Sequence, residues 1–266
     1  MDILAKIIEA KRRRLEEAKR THPESALRVE AFTIRKSSKD HVLSNALRNG
    51  RLNVIAEFKR KSPSKGVIRD GADAKDVARS YESAGAAAVS VLTEEDFFDG
   101  SLEDLRAVRS SISLPVLRKD FIVDEYQVYE SAAAGADALL LIVAALDDDT
   151  LMRLRRLAED ELGMDALVEV HTSEEMQRAI ASGATLIGVN NRNLKTFEVS
   201  LETSVKLARE VSDNVVLISE SGLNSSNDLG RLHELGYRGF LIGESLMRAE
   251  SPGDALRELR GNRGTG

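Results

Sequence analysis

The stretch ESAAAGADALLLIVAAL, residues 130–146, contains one complete join of the fold. A helical segment ends at Gly135, and an unbroken apolar run of nine residues, Ala138–Leu146, follows. A glycine just past a helix suits the left-handed turn that stops it. An apolar run without alternation suits a parallel strand buried on both faces. Nine residues are about half of what a membrane span needs, roughly 18. The same join recurs in SAGAAAV, ELGMDAL, ASGATLI and ELGYRGF, with glycines at positions 85, 163, 183 and 236.

Working outward from this join, eight short apolar runs read as strands: Val54–Phe58, Ala87–Leu92, Leu114–Leu117, Ala138–Val143, Ala166–Val170, Leu186–Val189, Val215–Ile218 and Phe240–Ile242. Amphipathic segments lie between them, such as Leu151/Leu154/Ala158/Leu162 and Leu201/Val205/Ala208. Residues 51–266 divide into eight units of about 27, the size of a βα unit in a (βα)8 TIM barrel. A doubly wound open sheet is the alternative, but it rarely has eight equal units. Ahead of the barrel, Leu4, Ile7, Ile8 and Leu15 share one face of a helix, with lysines and arginines opposite, and His22-Pro23 ends it. Residues 21–40 are polar with little periodicity. A short apolar patch follows (Val42, Leu43, Ala46, Leu47), closed by Asn49-Gly50. The expected fold is α/β: one domain over 1–266, with an N-terminal helical extension at 1–50 wrapped on a (βα)8 barrel at 51–266.

Composition narrows the function. The chain has 266 residues, 42% hydrophobic and 31% charged, an ordinary globular mix. Cysteine is absent, which removes disulfides, thiolate metal sites and a cysteine nucleophile, and fits a reducing compartment. The net charge is −6, tryptophan is absent and aromatics are 4%, so neither a basic stripe nor a stacking platform for nucleic acid is expected. The N-terminus MDILAKIIEAKRRR lacks a signal-peptide apolar core. The expectation is a cytoplasmic protein with no membrane or nucleic-acid partner. None of the four histidines has metal-ligand spacing to another. No G-x-G-x-x-G follows a strand, so a dinucleotide site has no support.

In such a barrel, chemistry sits where strands end and βα loops begin. The first strand ends with Glu57 and Lys59, two apart and so on one face. The third ends with Lys119, the fifth with Glu169, the sixth with Asn190 and the seventh with Glu220; the fourth ends with nothing polar. Any one of these could be a solvated flank. Two lysines and three glutamates at the same end of such apolar strands must either pair structurally or serve chemistry. Two loops suit phosphate: Glu220-Ser221-Gly222-Leu223, leading to a helix near Ser225 or Ser226, and Gly243-Glu244-Ser245, leading to a short helical turn. They follow strands 7 and 8, where barrels often hold phosphate on backbone N–H groups. Loop 59–66 adds four cations, which favours an anionic ligand over a merely solvated loop. Phe97, Phe98 and Phe121 could line an apolar pocket or simply pack. His171 reads as a loop histidine that could reach the site.

These motifs together resemble one family, the indole-3-glycerol phosphate synthases. The matching stretches are IAEFKRKSPSKG (55–66), LTEEDFFDGSLEDL (92–105), PVLRKDFIVDEYQV (115–128), LVEVH (167–171), IGVNNRNLKTFEV (187–199), ISESGL (218–223) and FLIGESLM (240–247). They stand in family order and cover essentially all of 51–248, and the helix at 3–19 is similar to the family's N-terminal extension. Residues 20–48 match poorly, and some relatives carry Ser where Glu244 stands. The resemblance implies a phosphosugar substrate, 1-(2-carboxyphenylamino)-1-deoxyribulose 5-phosphate, and closure of an indole ring with loss of CO2 and water. It implies no cofactor and no metal. By family position Lys119 is the general acid for ring closure and Glu169 the general base for dehydration. Lys59 would hold the substrate carboxylate or act as a second acid. Glu57, Asn190 and Glu220 would position hydroxyls and keep the lysines charged. Ser62 and Arg192 would meet the anthranilate end, and Pro63, Phe98, Phe121 and Leu194 would form its ring pocket. Ser221, Gly222, Gly243 and Glu244 would bind phosphate, largely through backbone N–H groups. A monomer is expected, with a weak homodimer as the other case.

Two further readings fit the residues. One is another barrel enzyme: a Schiff-base lyase using Lys59 or Lys119, or a sugar isomerase, whose family's Cys/Asp pair this cysteine-free chain lacks. The other is a non-catalytic phosphate-binding barrel, against which five costly charges argue.

Overall fold

The computed structural model describes residues 3–49, 51–193, 196–212 and 214–261. Eight parallel strands close into a barrel: β1 (Asn53–Phe58), β2 (Ala88–Leu92), β3 (Val116–Lys119), β4 (Ala138–Ile142), β5 (Asp165–Val170), β6 (Leu186–Asn190), β7 (Val216–Glu220) and β8 (Tyr237–Ile242). Their ends fall within three residues of the apolar runs. The largest difference is β8, which begins at Tyr237; a register shift between Tyr237 and Gly239 turns its first residues, including the polar Arg238, away from the regular ladder. Helices return the chain between strands. Asp124, Thr172 and Ser225 start three of them, each side chain accepting a backbone N–H of the first turn. At the other end of a helix, Gly85 and Gly135 take φ of 81° and 85°, the left-handed turn that the repeated joins required.

Two apolar cores result. One lies between the strands and the outer helices. The other fills the barrel interior, with Ile55, Leu117, Leu140, Leu167, Ile218 and Leu241. The extension closes both ends of the inner core. Helix α1 (Ile3–Thr21) brings Ile3, Leu4 and Ile7 to the mouth where the strands end. Helix α2 (Glu24–Arg35) packs on the helix Glu125–Ala133. Helix α3 (Val42–Leu47) plugs the opposite end, with Leu43 and Leu47 fully buried in the inner core. The plug is held by β5. The carboxylate of Asp165 accepts from the backbone N–H groups of Leu43 (2.9 Å) and Ser44 (3.1 Å). His41, at the N-cap, gives no side-chain cap of its own, so Asp165 satisfies donors that would otherwise be orphaned.

Helix α2 corrects the expectation of a polar, aperiodic 21–40 segment. Its buried stripe is one residue wide, Leu27, Ala31 and Arg35, while Val29 and Ile34 face solvent. The third stripe residue is an arginine. It is buried because its guanidinium donates to the carbonyls of Leu162 (2.7 Å) and Gly163 (3.0 Å). The helix is amphipathic, but a stripe that ends in a cation and is flanked by exposed apolar residues is easily passed over in the sequence.

Candidate active site

Parallel strands of similar length put their last inward-facing residues on one level. Register places Asn190 opposite Glu220 and Glu57 opposite Ser90. The charged side chains therefore meet around the barrel axis. Lys119 Nζ stands 3.1 Å from Glu169 and 3.4 Å from Glu220. Asn190 Nδ2 donates to the other oxygen of Glu169 at 3.1 Å. Lys59 Nζ donates to Glu57 at 2.6 Å. Glu57, Glu169 and Glu220 are each no more than 4% exposed. Carboxylates that dry persist only because two cations and an amide face them.

Their protonation follows from these neighbours. Burial pulls Lys119 towards the neutral amine, but Glu169, Glu220 and Glu57 more than reverse it, so the ammonium is held well above its ordinary value. Burial pushes Glu169 up, but Lys119, His171 and the Asn190 amide outweigh it and keep it a carboxylate. Glu220 goes the other way. Burial, together with the charges of Glu169 and Glu57, raises it despite Lys119. One oxygen of Glu220 also has no hydrogen-bond partner. Of two carboxyls that share one lysine, the better-donated one is ionised and the other holds the proton.

Two glycines make room for this cluster. A Cβ at Gly243 would stand 2.4 Å from a carboxylate oxygen of Glu57, and one at Gly188 would stand 2.1 Å from a carboxyl oxygen of Glu220. Gly243, read from sequence as a phosphate-loop turn, is thus also the gap into which Glu57 fits. Gly188, in the middle of β6, gave no sequence signal.

Above the cluster lies a cavity of about 790 Å³, within the usual range for small-ligand sites. Of the residues expected in the site, Glu57, Lys59, Ser62, Pro63, Phe98, Lys119, Phe121, Glu169, Asn190, Arg192, Glu220, Ser221, Gly222, Gly243 and Glu244 all line it. Leu194 lies outside the described residues. Phe98 and Phe121 form a tilted pair with centroids 6.0 Å apart on one wall. Phe97 is not among the lining residues. On the opposite wall, Ser221 and Gly222 take consecutive left-handed φ values of 65° and 78°. The helical turn Glu244–Arg248 starts at Gly243 without a side-chain cap. Backbone N–H groups arranged this way suit an anion. The Glu244 side chain draws cations around it: Arg248 at 3.4 Å, Arg192 at 3.6 Å and Lys65 at 3.7 Å.

The 59–66 loop divides its cations. It folds as a small antiparallel ribbon, Lys61–Ser62 with Gly66–Val67. Lys59 and Lys65 line the cavity. Arg60 does not; it grips Asp104 with two hydrogen bonds of 2.6 and 2.7 Å and lies over the Phe58 ring. Of the four cations, two therefore face the cavity and Arg60 is structural.

Several contributors were not foreseen. The apolar residues of α1 roof the cavity. Lys11, assigned from periodicity to the solvent face, is 4% exposed and pairs with Glu95 (2.8 Å) and Asp120 (3.0 Å). Asp120, beside Lys119, also accepts from Thr93, from Arg118 and from the backbone N–H of Phe121. The roof is thus tied to the strand end that carries Lys119. His171 is a loop residue, as expected, but its side chain is only 13% exposed and faces Glu169. No group of three or more potential metal ligands occurs among the described residues. No helix among them is long and apolar enough to cross a membrane.

The family model for indole-3-glycerol phosphate synthase matches residues 4–259. The chain is 46% identical to the indole-3-glycerol phosphate synthase of Carboxydothermus hydrogenoformans, over 96% of this chain and 98% of the relative. It is 48% identical to that of Syntrophobacter fumaroxidans, over 98% of each chain. It is 53% identical to that of Desulfotalea psychrophila, over 78% of this chain and 80% of the relative. Among solved structures, a 3-hexulose-6-phosphate synthase superposes with a TM-score of 0.63 at 16% identity, covering 80% of this chain and all of the other. KGPDC from Streptococcus mutans does so with 0.62 at 15% identity, covering 80% and 97%. Likeness at that level of identity shows the barrel fold alone.

Proposed function

The chain belongs to the indole-3-glycerol phosphate synthase family, and from that premise we propose how its barrel mouth turns 1-(2-carboxyphenylamino)-1-deoxyribulose 5-phosphate into indole-3-glycerol phosphate, CO2 and water. Phosphate sits on the Ser221-Gly222 and Gly243-Glu244 loops. The aromatic ring lies against Phe98, Phe121 and Pro63. Ser62 and Arg192 hold the anthranilate end. The ketose carbonyl then faces the charged floor.

Lys119 gives its proton to the carbonyl oxygen as the aryl carbon attacks, forming the new carbon–carbon bond. The carboxylate leaves as CO2, and its bonding electrons restore the aromatic ring. In the second half, the new hydroxyl leaves as water with a proton from an acid, Lys59 in this reading. Glu169 takes a proton from the carbon next to nitrogen, and that C–H pair becomes the indole double bond. Glu57 holds Lys59 in place through their 2.6 Å hydrogen bond, and Asn190 and Glu220 hold the hydroxyls and Lys119. Each acid or base contributes about 10²–10⁴-fold.

The observation that carries this reading is a protonated lysine 3.1 and 3.4 Å from two buried carboxyls on the cavity floor, one ionised and one not. Such a site holds both an acid and a base ready at neutral pH. The reading takes the protein to work as a cytoplasmic monomer without metal, organic cofactor or nucleic acid.

The chain has no tryptophan, so indole absorbance and fluorescence report product directly. Steady growth of that signal with the purified protein, and its loss by about 10²-fold or more in Lys119→Ala with the fold intact, is expected. Wild-type turnover in that variant would overturn the acid assignment. Tight substrate binding with no product would favour the non-catalytic barrel. A borohydride-trapped adduct would favour a Schiff-base lyase.

A further inference from the structure

Glu169 must stay ionised at the moment when its main cation is spent. Once Lys119 has given its proton to the carbonyl, the amine is neutral. Glu169 is then 2% exposed, and burial favours its acid form. A second group able to carry positive charge would prevent that, and an imidazole stands beside it.

His171 follows Glu169 by two residues, so its side chain leaves the end of β5 on the same face. Its Nε2 is 3.4 Å from Oε1 of Glu169, buried and not yet aligned in a hydrogen bond. Catalytic hydrogen bonds are often loose before substrate binds. On the other side, Nδ1 lies 3.2 Å from Glu175, whose same oxygen accepts the His171 backbone N–H at 2.7 Å. Glu175 belongs to the first turn of the helix Ser173–Ala181. The titratable and charged groups facing the imidazole are Glu169 from its own strand, Glu175 from the following helix and the protonated Glu220 from β7, with Lys119 beyond Glu169.

We propose that His171 is a positioning residue for the dehydration half-reaction: a cation anchored on Glu175 that holds Glu169 as an aimed carboxylate after Lys119 has lost its charge. A carboxylate faces each ring nitrogen, so both nitrogens serve as donors, which is the imidazolium form; burial works against that charge, but Glu175 and Glu169 outweigh it and raise His171 above its ordinary value. Asn190 donates to the same oxygen of Glu169 but brings no charge. The proposal rests on the reading of Glu169 as the base.

The test is the pH dependence of kcat in His171→Gln, measured by indole fluorescence. A lost positive neighbour at this distance raises a carboxyl by about one unit or more. The acid limb of the kcat profile should therefore move up by about one pH unit. That means about tenfold lower kcat below the limb, near-wild-type kcat above it, and unchanged KM. Glu175→Gln keeps an acceptor for the backbone N–H and removes the anchoring charge, so it should move the limb in the same direction by less; it serves also if His171→Gln does not fold. Superimposable acid limbs in folded variants would overturn the proposal, as would a loss of kcat that is uniform in pH. Glu169→Gln separates the two readings. If it keeps turnover, the base assignment itself fails. If it is inactive while the His171 limb stays put, only the role of His171 fails.

Discussion

Replacing Lys11 by methionine tests whether the roof of the cavity is locked to the strand end below it. The ammonium of Lys11 is 6% exposed and lies between Asp120, fully buried, and Glu95, 38% exposed. Methionine keeps most of the stem and deletes the charge. Removing one partner of a buried pair costs about 3–5 kcal/mol. Asp120 retains Arg118 at 2.9 Å, Thr93 at 2.6 Å and the Phe121 N–H at 2.8 Å, so the lower end, about 3 kcal/mol, applies. In a barrel of this length about 1 kcal/mol corresponds to roughly 2–4 °C, so Tm should fall by about 6–12 °C. The sign with pH is fixed. Burial opposes the charge of Lys11, but Asp120 and Glu95 raise it above the ordinary lysine value. Its contribution is full below about pH 10 and lost as pH climbs through the raised value. Burial opposes the charge of Asp120, but Lys11 and Arg118 hold it well below the usual carboxylate range. That share is present above about pH 4 and lost as pH falls through the folded value. Thermal unfolding followed by circular dichroism should show a constant deficit over about pH 6–9. Arg13→Met, at a side chain 73% exposed on the same helix, should shift Tm by no more than about 2 °C. A Lys11→Met shift as small as that control would refute the lock.

Two other perturbations probe the floor of the barrel. Glu220→Gln replaces a carboxyl that burial and two neighbouring carboxylates push up, so wild type loses stability as pH rises through the raised value while the variant does not. The Tm difference between the two should move in favour of Gln from pH 6 to pH 9; parallel Tm curves would contradict the protonated assignment. Gly243→Ala would press a methyl onto Glu57 at 2.4 Å. Overpacking of this kind costs about 1–3 kcal/mol, and kcat should fall because the Glu57–Lys59 pair shifts; wild-type kcat and Tm together would show that the strand end yields freely.

The barrel was legible in the sequence because its signals are local. Ala138–Ile142 is apolar without alternation since both faces of a parallel strand are buried, and the glycine at the five repeated joins is set by backbone sterics alone. The strand-end positions of Glu57, Lys59, Lys119, Glu169, Asn190 and Glu220 are equally local, because once the strands are found their ends are fixed. The family motifs supplied the roles. What depended on long-range contact was not legible. Arg35 in α2 looks like a solvent residue until the Leu162 and Gly163 carbonyls, 127 and 128 residues away, are placed against it. Lys11 falls at helical spacing between Ile7 and Leu15 on the buried side of α1, but a cation reads as out of place there until Asp120 and Glu95 are set against it. Gly188 reads as a weak spot in a strand and proves to be the space for Glu220. Sequence by itself determined which elements form, in what order, and which charged residues stand at one end of them. Only the tertiary structure decided which charges neutralise which, and so which of two chemically identical carboxyls beside Lys119 keeps its proton. Protonation is set by burial and by distances of a few ångströms between residues far apart in the chain, and a linear pattern carries neither.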